Sequence, residues 1–150
     1  EARAAKNFRW DKVSFPLRGN LTMLDARFNN TRASNNPEWG EGTIRVGDPL
    51  PYIPQWQASV GLGAQYKALR QELVIQYTGR VFDQAVANGR TQVPGYGLLD
   101  WTSRFNYSRD GAVFARVDNI LNKRYAVSWR PYGLRPGKPQ GFMVGVEQVF

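Results

Sequence analysis

The sequence predicts an all-β fold whose antiparallel strands form part of a transmembrane β-barrel, and three observations support this. Segments of roughly ten residues alternate apolar and polar side chains, which is the two-residue period of a strand. The connections between these segments are alternately long and short, as they are when all short turns lie on one side of a membrane. Aromatic residues stand at the ends of the apolar faces, as in the girdle of an outer-membrane barrel.

The clearest strand covers residues 55–66, where apolar and polar side chains alternate without interruption and Trp56 and Tyr66 end the apolar face. A helix would instead place its apolar residues three and four positions apart. The same two-residue period predicts further strands at residues 13–23, 72–82, 100–107, 112–118 and 142–150. Residues 1–12 alternate less regularly and are predicted to form an incomplete strand or a turn.

Alternation also assigns each side chain to one of two faces. We expect these residues to face lipid: Trp56, Val60, Leu62, Leu73, Ile75, Trp101 and Phe105. The alternation of residues 72–82 places Val81 on the same face as Leu73 and Ile75. We expect these to face the lumen: Gln57, Ser59, Gln76, Arg80, Arg104 and Arg116. Asp100 and Asp118 each share the polar face with a nearby arginine: Arg104 lies four residues after Asp100, and Arg116 lies two residues before Asp118. Lumen ion pairs are therefore expected at both positions, rather than a pair of catalytic carboxylates.

Composition narrows the possible functions. The chain has no cysteine and no histidine, which excludes a disulfide scaffold, a Cys-based metal or redox site and a Ser-His-Asp triad. We therefore predict that the chain is not an enzyme and holds no cofactor or metal of its own. Lys and Arg number 20 against 12 Asp and Glu, a net charge of +8. This excess indicates an anionic partner, which can be nucleic acid, anionic lipid or an anionic solute.

The pattern alone leaves three alternatives open. A soluble β-sandwich or small barrel alternates in the same way, although it does not require aromatic strand ends or unequal loops. A basic β-domain with exposed aromatic residues is suited to binding nucleic acid. A porin or autotransporter barrel shares all the physics of the predicted fold.

Several short motifs carry a family resemblance. Residues 118–125 (DNILNKRY) resemble the xNLFDKxY signature of TonB-dependent outer-membrane receptors, and residues 135–140 (RPGKPQ) resemble their PGxPR element, with Gln140 where arginine is usual. Residues 24–28 (LDARF), 50–54 (LPYIP) and 93–96 (VPGY) resemble further motifs of the family in the same order. The chain is most similar to the siderophore and ferric-citrate receptors of that family.

The resemblance implies that residues 1–150 are the C-terminal portion of a barrel of about 22 strands, in the outer membrane of a Gram-negative bacterium. Six or seven of those strands are expected here. The family's plug domain and TonB box are absent from these residues. We therefore expect a fragment, a partial chain or one piece of a barrel that other polypeptides complete.

The implied function is the import of a ferric siderophore or ferric-citrate-like chelate with energy supplied through TonB. The implied partners are outer-membrane lipid and lipopolysaccharide, the TonB complex through the absent N-terminal region, the barrel-assembly machinery and the remaining strands of the barrel. Nucleic acid is not expected as a partner.

The loop at residues 126–140 is the candidate ligand contact. It has a net charge of +3, whereas residues 29–54 and 83–95 have −1 and zero. We expect contact with an anionic chelate through Arg130, Tyr132, Arg135 and Lys138. Contact with lipopolysaccharide phosphates, or simple solvation, is the alternative for these side chains.

Two other features of the last third have expected roles. Phe142, Val144, Val146 and Phe150 resemble the closing strand read by the barrel-assembly machinery, although Phe150 also fits an ordinary girdle aromatic. Asn119 and Asn122 are expected to bend the chain near the barrel rim, because asparagine tolerates left-handed backbone geometry.

Overall fold

The structure, a computed structural model, describes residues 1–130 and 132–149. Its regular elements are these strands: β1 (Ala2–Trp10), β2 (Val13–Met23), β3 (Arg32–Ser34), β4 (Gly42–Ile44), β5 (Trp56–Tyr66), β6 (Leu69–Thr78), β7 (Val81–Phe82), β8 (Gln92–Val93), β9 (Tyr96–Asn106), β10 (Gly111–Asp118), β11 (Ala126–Ser128), β12 (Arg135–Pro136) and β13 (Gly141–Gln148). Within the described residues, no helix is long and apolar enough to span a membrane.

Seven of the strands form one sheet in the order β1-β2-β5-β6-β9-β10-β13, and each neighbouring pair is antiparallel. The all-β antiparallel prediction is therefore confirmed. Short turns at residues 11–12, 67–68 and 107–110 lie at one end of the sheet, which we call the turn end. The long connections leave from the opposite end, the loop end, and contain the small hairpins β3/β4, β7/β8 and β11/β12.

The register makes the apolar face continuous across the sheet. Val60 lies opposite Ile75, and Ile75 lies opposite Leu99 on the next strand. Residues paired in register point to the same face, so the alternation of each strand reinforces that of its neighbours. The apolar residues predicted for this face on β5, β6 and β9 share it: Trp56, Val60, Leu62, Leu73, Ile75, Trp101 and Phe105. The two-face prediction is confirmed for these three strands.

Two predictions near the strand ends are wrong. Residues 2–10 form the regular strand β1, paired with β2 along its full length, rather than an incomplete strand or turn. Its own alternation is weak because Lys6 lies on the face that also carries Phe8 and Trp10, so the strand depends on hydrogen bonding to β2.

The second error concerns Arg80 and Val81, whose predicted faces are reversed. Arg80 lines a cleft with Trp56 and Tyr77 on the apolar face. Val81 is buried and lines a separate cleft with polar-face residues. The reason is local: β6 ends at Thr78, and the following residues leave the ladder to form the β7/β8 hairpin. Alternation counted from β6 therefore does not continue past that point.

The hydrophobic core cluster of the described chain lies in the loops. Phe28, Ile44, Ala85 and Val86 form the hydrophobic cluster, and all four lie in connections at the loop end. Large apolar side chains of the sheet remain exposed, including Leu62 at 47% and Ile75 at 48%. An exposed apolar face of this extent fits a sheet whose solvent is lipid.

Candidate functional site

The long connections at the loop end carry the candidate functional residues. Residues 24–55 and 79–95 fold against each other around a small apolar cluster, which we call the loop core. Its members are Phe28, Ile44, Ala85 and Val86, with Trp39 and Leu50 partly buried against them. The Trp39 carbonyl accepts hydrogen bonds from the backbone N–H groups of Ala85 and Val86 at 2.9 and 3.0 Å. These two connections therefore form one folded unit.

Paired charges stabilise the loop core. Arg90 and Asp48 form an ion pair of 2.7 Å whose side chains are only 16% and 14% exposed. Burial raises the pKa of Asp48, but the Arg90 side chain and the Arg45 backbone N–H outweigh it, and the pKa is held below its ordinary value. The buried Asp83 carboxylate accepts hydrogen bonds from the Thr91 N–H at 2.7 Å and hydroxyl at 2.9 Å. Each buried carboxylate thus has donors.

Arg130, a predicted ligand contact, joins the third long connection, residues 119–140 (the third loop), to the loop core. Its backbone N–H donates to the Tyr52 hydroxyl at 3.0 Å, and its guanidinium lies 3.4 Å from the Asp83 carboxylate. A longer hydrogen bond of 3.5 Å reaches the Pro37 carbonyl. The charge of Arg130 is therefore compensated by a buried acid, and the side chain positions the loop.

Lys138 is also engaged within the chain. Its ammonium group forms an ion pair with Asp118, and its backbone N–H donates to the Tyr125 hydroxyl at 3.2 Å. Asp118 also pairs with Arg116 at 2.5 Å, as alternation on the polar face predicts. Two of the three positive charges of loop 126–140 are thus paired with carboxylates, and Lys138 shares its partner Asp118 with Arg116.

Tyr132 and Arg135 are the predicted contacts whose exposed side chains form no hydrogen bond or ion pair within the described residues. Tyr132 is 92% exposed, and Arg135 is exposed on the short strand β12. Within the described part of the chain, Arg135 forms no ion pair. The loop therefore presents one cation without an ion-pair partner, which is a smaller charge than its sequence indicates.

The predicted lumen pair between Asp100 and Arg104 is wrong. Arg104 instead pairs with Glu147 of β13 at 2.7 Å. The Asp100 carboxylate accepts hydrogen bonds from the Gln76 side chain at 2.7 Å and from the Asn119 backbone N–H at 2.8 Å. Asp100 and Arg104 are four residues apart on one strand, a rise of about 13 Å, whereas cross-strand neighbours lie about 5 Å apart, so partners on other strands are reached first.

Asn119 connects the two family-like motifs of the last third. Its side chain is 2% exposed and donates to the carbonyls of Lys123 at 3.0 Å and Lys138 at 3.2 Å, while its oxygen accepts from the Lys123 N–H at 2.9 Å. The φ angles of Asn119 and Asn122 are 50° and 47°, which confirms the expected left-handed geometry. The sequence indicated the bend but not this clamp, because the clamp depends on residues 19 positions apart.

The tyrosine of the first motif packs on the glycine of the second. A Cβ atom at Gly137 would lie 2.0 Å from the Tyr125 ring, so only glycine fits beneath it. Tyr125 also stacks on Tyr96 at a centroid distance of 4.2 Å. Burial raises the pKa of the Tyr125 hydroxyl, which keeps the phenol neutral.

These tyrosines line a cleft of about 830 Å³, which we call the aromatic cleft. Trp129 and Leu134 contribute apolar surface, and Lys123 and Arg124 contribute positive charge. None of the residues that line the cleft is acidic. Stacked aromatic rings beside uncompensated cations suit a planar or hydrophobic anion.

The closing strand presents the predicted assembly residues on one face. Phe142, Val144 and Val146 of β13 are 74%, 80% and 70% exposed. Phe150, the fourth predicted residue, lies outside the described residues. Recognition of this strand by the barrel-assembly machinery stays a prediction.

Comparison with protein families decides between the alternatives that alternation leaves open. A family model described as a TonB dependent receptor-like beta-barrel matches residues 1–120. The chain belongs to this family. Its members are outer-membrane β-barrel receptors of Gram-negative bacteria and act as transporters rather than enzymes. No protein of curated function matches the chain at the sequence level.

Solved structures share the fold at low sequence identity. The siderophore receptor PiuA of Acinetobacter baumannii matches 97% of the chain with a TM-score of 0.65 and 16% identity. The ferric-catecholate import receptor Fiu of E. coli K12 matches 99% with a TM-score of 0.61 and 16% identity. The copper transporter OprC matches 96% with a TM-score of 0.58 and 14% identity. The chain spans only 21%, 27% and 30% of these three proteins respectively.

Proposed function

We propose that this chain forms C-terminal strands of a receptor that imports a ferric siderophore or a ferric-citrate-like chelate with energy supplied through TonB. The observation that carries the proposal is the prefolded external surface, in which Arg130 joins the third loop to the loop core beside the aromatic cleft. An open pore needs no such assembly, whereas capture of a scarce ligand benefits from a binding surface ordered in advance.

Ligand contact is assigned to the side chains whose charges are not compensated. Arg135 and Tyr132 are exposed on the third loop, and Lys123 and Arg124 line the aromatic cleft. Arg130 and Lys138, in contrast, maintain the shape of the loop through their ion pairs with Asp83 and Asp118. The proposed site therefore combines aromatic surface with three cations, which suits a carboxylate- or catecholate-bearing iron chelate.

The names of the structural neighbours support iron as cargo without deciding it. PiuA is a siderophore receptor and Fiu a ferric-catecholate receptor, whereas OprC transports copper. The plug and TonB contact belong to parts of the receptor outside these residues. Outer-membrane lipid, lipopolysaccharide and the barrel-assembly machinery complete the proposed partners.

The proposal is tested by separating the two groups of cations in the full-length receptor. The variant Lys123→Gln/Arg124→Gln/Arg135→Gln should weaken capture of ferric citrate or a ferric catecholate and flatten its salt dependence, because exposed charges steer anionic ligands. The control Arg109→Gln removes an exposed cation at the turn end and should leave capture unchanged. Binding of radiolabelled iron complexes at low and high ionic strength measures both the affinity and its salt dependence.

The variant Arg130→Gln/Lys138→Gln should act differently. Loss of these pairs loosens the loop, so affinity should fall while the salt slope changes little. If wild type and the first variant have equal salt slopes, Lys123, Arg124 and Arg135 do not belong to the ligand site. Binding of Cu²⁺ with no response to any ferric chelate would overturn iron as the cargo.

A further inference from the structure

A second cleft opens on the outer face of the sheet, on the side opposite the polar face. It has a volume of about 710 Å³ and lies where β5 begins and β6 ends. Trp56 and Tyr77, 45% and 49% exposed, belong to the apolar face. Gln55, Arg80 and Gln92 line the same cleft, and no acidic residue lines it.

Arg80 reaches this face because the strand ladder ends beside it. Gly79 still donates its N–H to the Trp56 carbonyl at 2.8 Å, after which the chain leaves the sheet. A Cβ atom at Gly79 would lie 3.0 Å from that carbonyl oxygen. A Cβ atom at Gly95 would lie 3.0 Å from the backbone nitrogen of Arg80. Two glycines thus allow the close backbone approach that turns Arg80 outward.

The charge of Arg80 has no counterion within the described chain. Within the described residues its side chain donates one hydrogen bond, of 3.5 Å, to the side-chain amide oxygen of Gln92. The side chain is exposed, and it stands next to the aromatic residues that end the apolar face at the loop end. Aromatic residues at that level mark the boundary between hydrocarbon and headgroups. Arg80 is therefore at the level of the headgroups of the outer leaflet.

We propose that this cleft binds the phosphorylated sugar headgroup of an outer-leaflet glycolipid, the lipid A moiety of lipopolysaccharide. The Arg80 guanidinium matches a phosphate through paired N–H donors, and the amides of Gln55 and Gln92 supply partners for sugar hydroxyls. Trp56 and Tyr77 contact the first part of the acyl chains. A free anion would contact Arg80 alone, whereas a lipid would also contact the aromatic side chains of Trp56 and Tyr77 next to it.

The site is distinct from the proposed ligand surface, because it faces lipid and not the lumen. Its test therefore does not depend on which nutrient the receptor imports. The full-length receptor in detergent is titrated with bisphosphorylated lipid A, dephosphorylated lipid A and inorganic phosphate, and bound lipid is counted by native mass spectrometry. Heat-modifiable migration on a gel confirms that each variant contains a folded barrel.

Arg80→Gln should weaken binding of lipid A roughly tenfold, the loss expected for one charge-assisted contact. Arg80→Lys should retain an intermediate affinity, because it keeps the charge and loses the planar pair of donors. The matched control is Arg70→Gln, which lies on β6 at the turn end and on the polar face, and it should bind as wild type does. Dephosphorylated lipid A should bind wild type as weakly as lipid A binds Arg80→Gln.

Equal lipid A affinity in wild type and Arg80→Gln would overturn the site. An equal loss in Arg70→Gln would show a general effect of charge, and full competition by equimolar inorganic phosphate would show a free-anion site; either contradicts the proposal. If Arg80→Gln does not assemble, the wild-type preference for phosphorylated over dephosphorylated lipid A decides the question together with Arg80→Lys.

Discussion

The seven-stranded sheet and the loop core are built by different physical means. The sheet has a continuous hydrogen-bond ladder, and its large outer side chains such as Leu62 and Ile75 are exposed on the lipid side. The loop core has little regular structure, yet it contains Ile44 at 0% exposure and the nearly buried pair of Asp48 and Arg90. The comparison shows that a membrane barrel can be organised by strand pairing and lipid, while its water-exposed loops need a hydrophobic core of their own.

The largest expected difference concerns apolar truncation. Ile44→Ala should destabilise the loop core by about 2–5 kcal/mol, because a fully buried side chain leaves a cavity. The sheet should stay folded, so loop amides should exchange faster while sheet amides remain protected. The control Ile75→Ala, on the outer face of β6, should have a much smaller effect. If both variants accelerate exchange equally in the loops, the two regions are not independent.

A charged side chain introduced on the outer face should destabilise the sheet, whereas truncation of an apolar side chain mainly affects the loop core. Val60→Arg should cost about 2–4 kcal/mol if the residue lies near the bilayer midplane, because arginine is poorly solvated by hydrocarbon. Ser59→Arg, one position away on the polar face, should cost much less. Folding into lipid vesicles across a denaturant series measures both. Equal costs at the two positions would rule out the register of β5.

Acid should destabilise the loop core before it destabilises the sheet, and this effect should be smaller than those of the substitutions above. The pKa of Asp48 is depressed in the folded protein, so its stabilising contribution is present above the ordinary value of 3.8 and is lost as pH falls through the lower folded value. Asp48→Asn should remove this dependence and cost about 1.5–3 kcal/mol through the loss of a charged hydrogen bond. Loop proteolysis between pH 7 and pH 3 measures the effect, and an unchanged acid response in the variant would assign it to other carboxylates.

Side-chain faces are predictable from the sequence within the paired strands but not beyond the strand ends. On β5 and β6 the outer residues Val60 and Ile75 were placed correctly, because a strand inside a ladder repeats every two residues. At Arg80 the same rule failed, because the ladder had ended. The left-handed backbone of Asn119 was predictable from its residue type, whereas its hydrogen bonds to Lys123 and Lys138 were not.

The candidate ligand residues show the same limit. The positive excess of loop 126–140 is plain in the sequence, but the structure pairs Arg130 with Asp83 and Lys138 with Asp118. Asp83 is 47 residues away from Arg130 in the chain, and no local signal links the two. The aromatic cleft was likewise missed, since Tyr96 and Tyr125 meet only when β9 and the last loop come together. A count of charges within one loop therefore overstated the charge it presents.

The sequence by itself determined most of the long strands, their two faces within the ladder, the short and long connections and the family, because each of these depends on local periodicity or on contiguous motifs. Only the tertiary structure decided that two loops share a core, that Arg130 positions the third loop, and that Arg80 faces outward. The physical reason is that ion pairs and loop packing join residues far apart in the chain, and their energies depend on distance and burial. Alternation predicts which face of the sheet a side chain occupies as long as its strand is paired. It does not predict which distant charged residues contact each other in the loops beyond the strand ends.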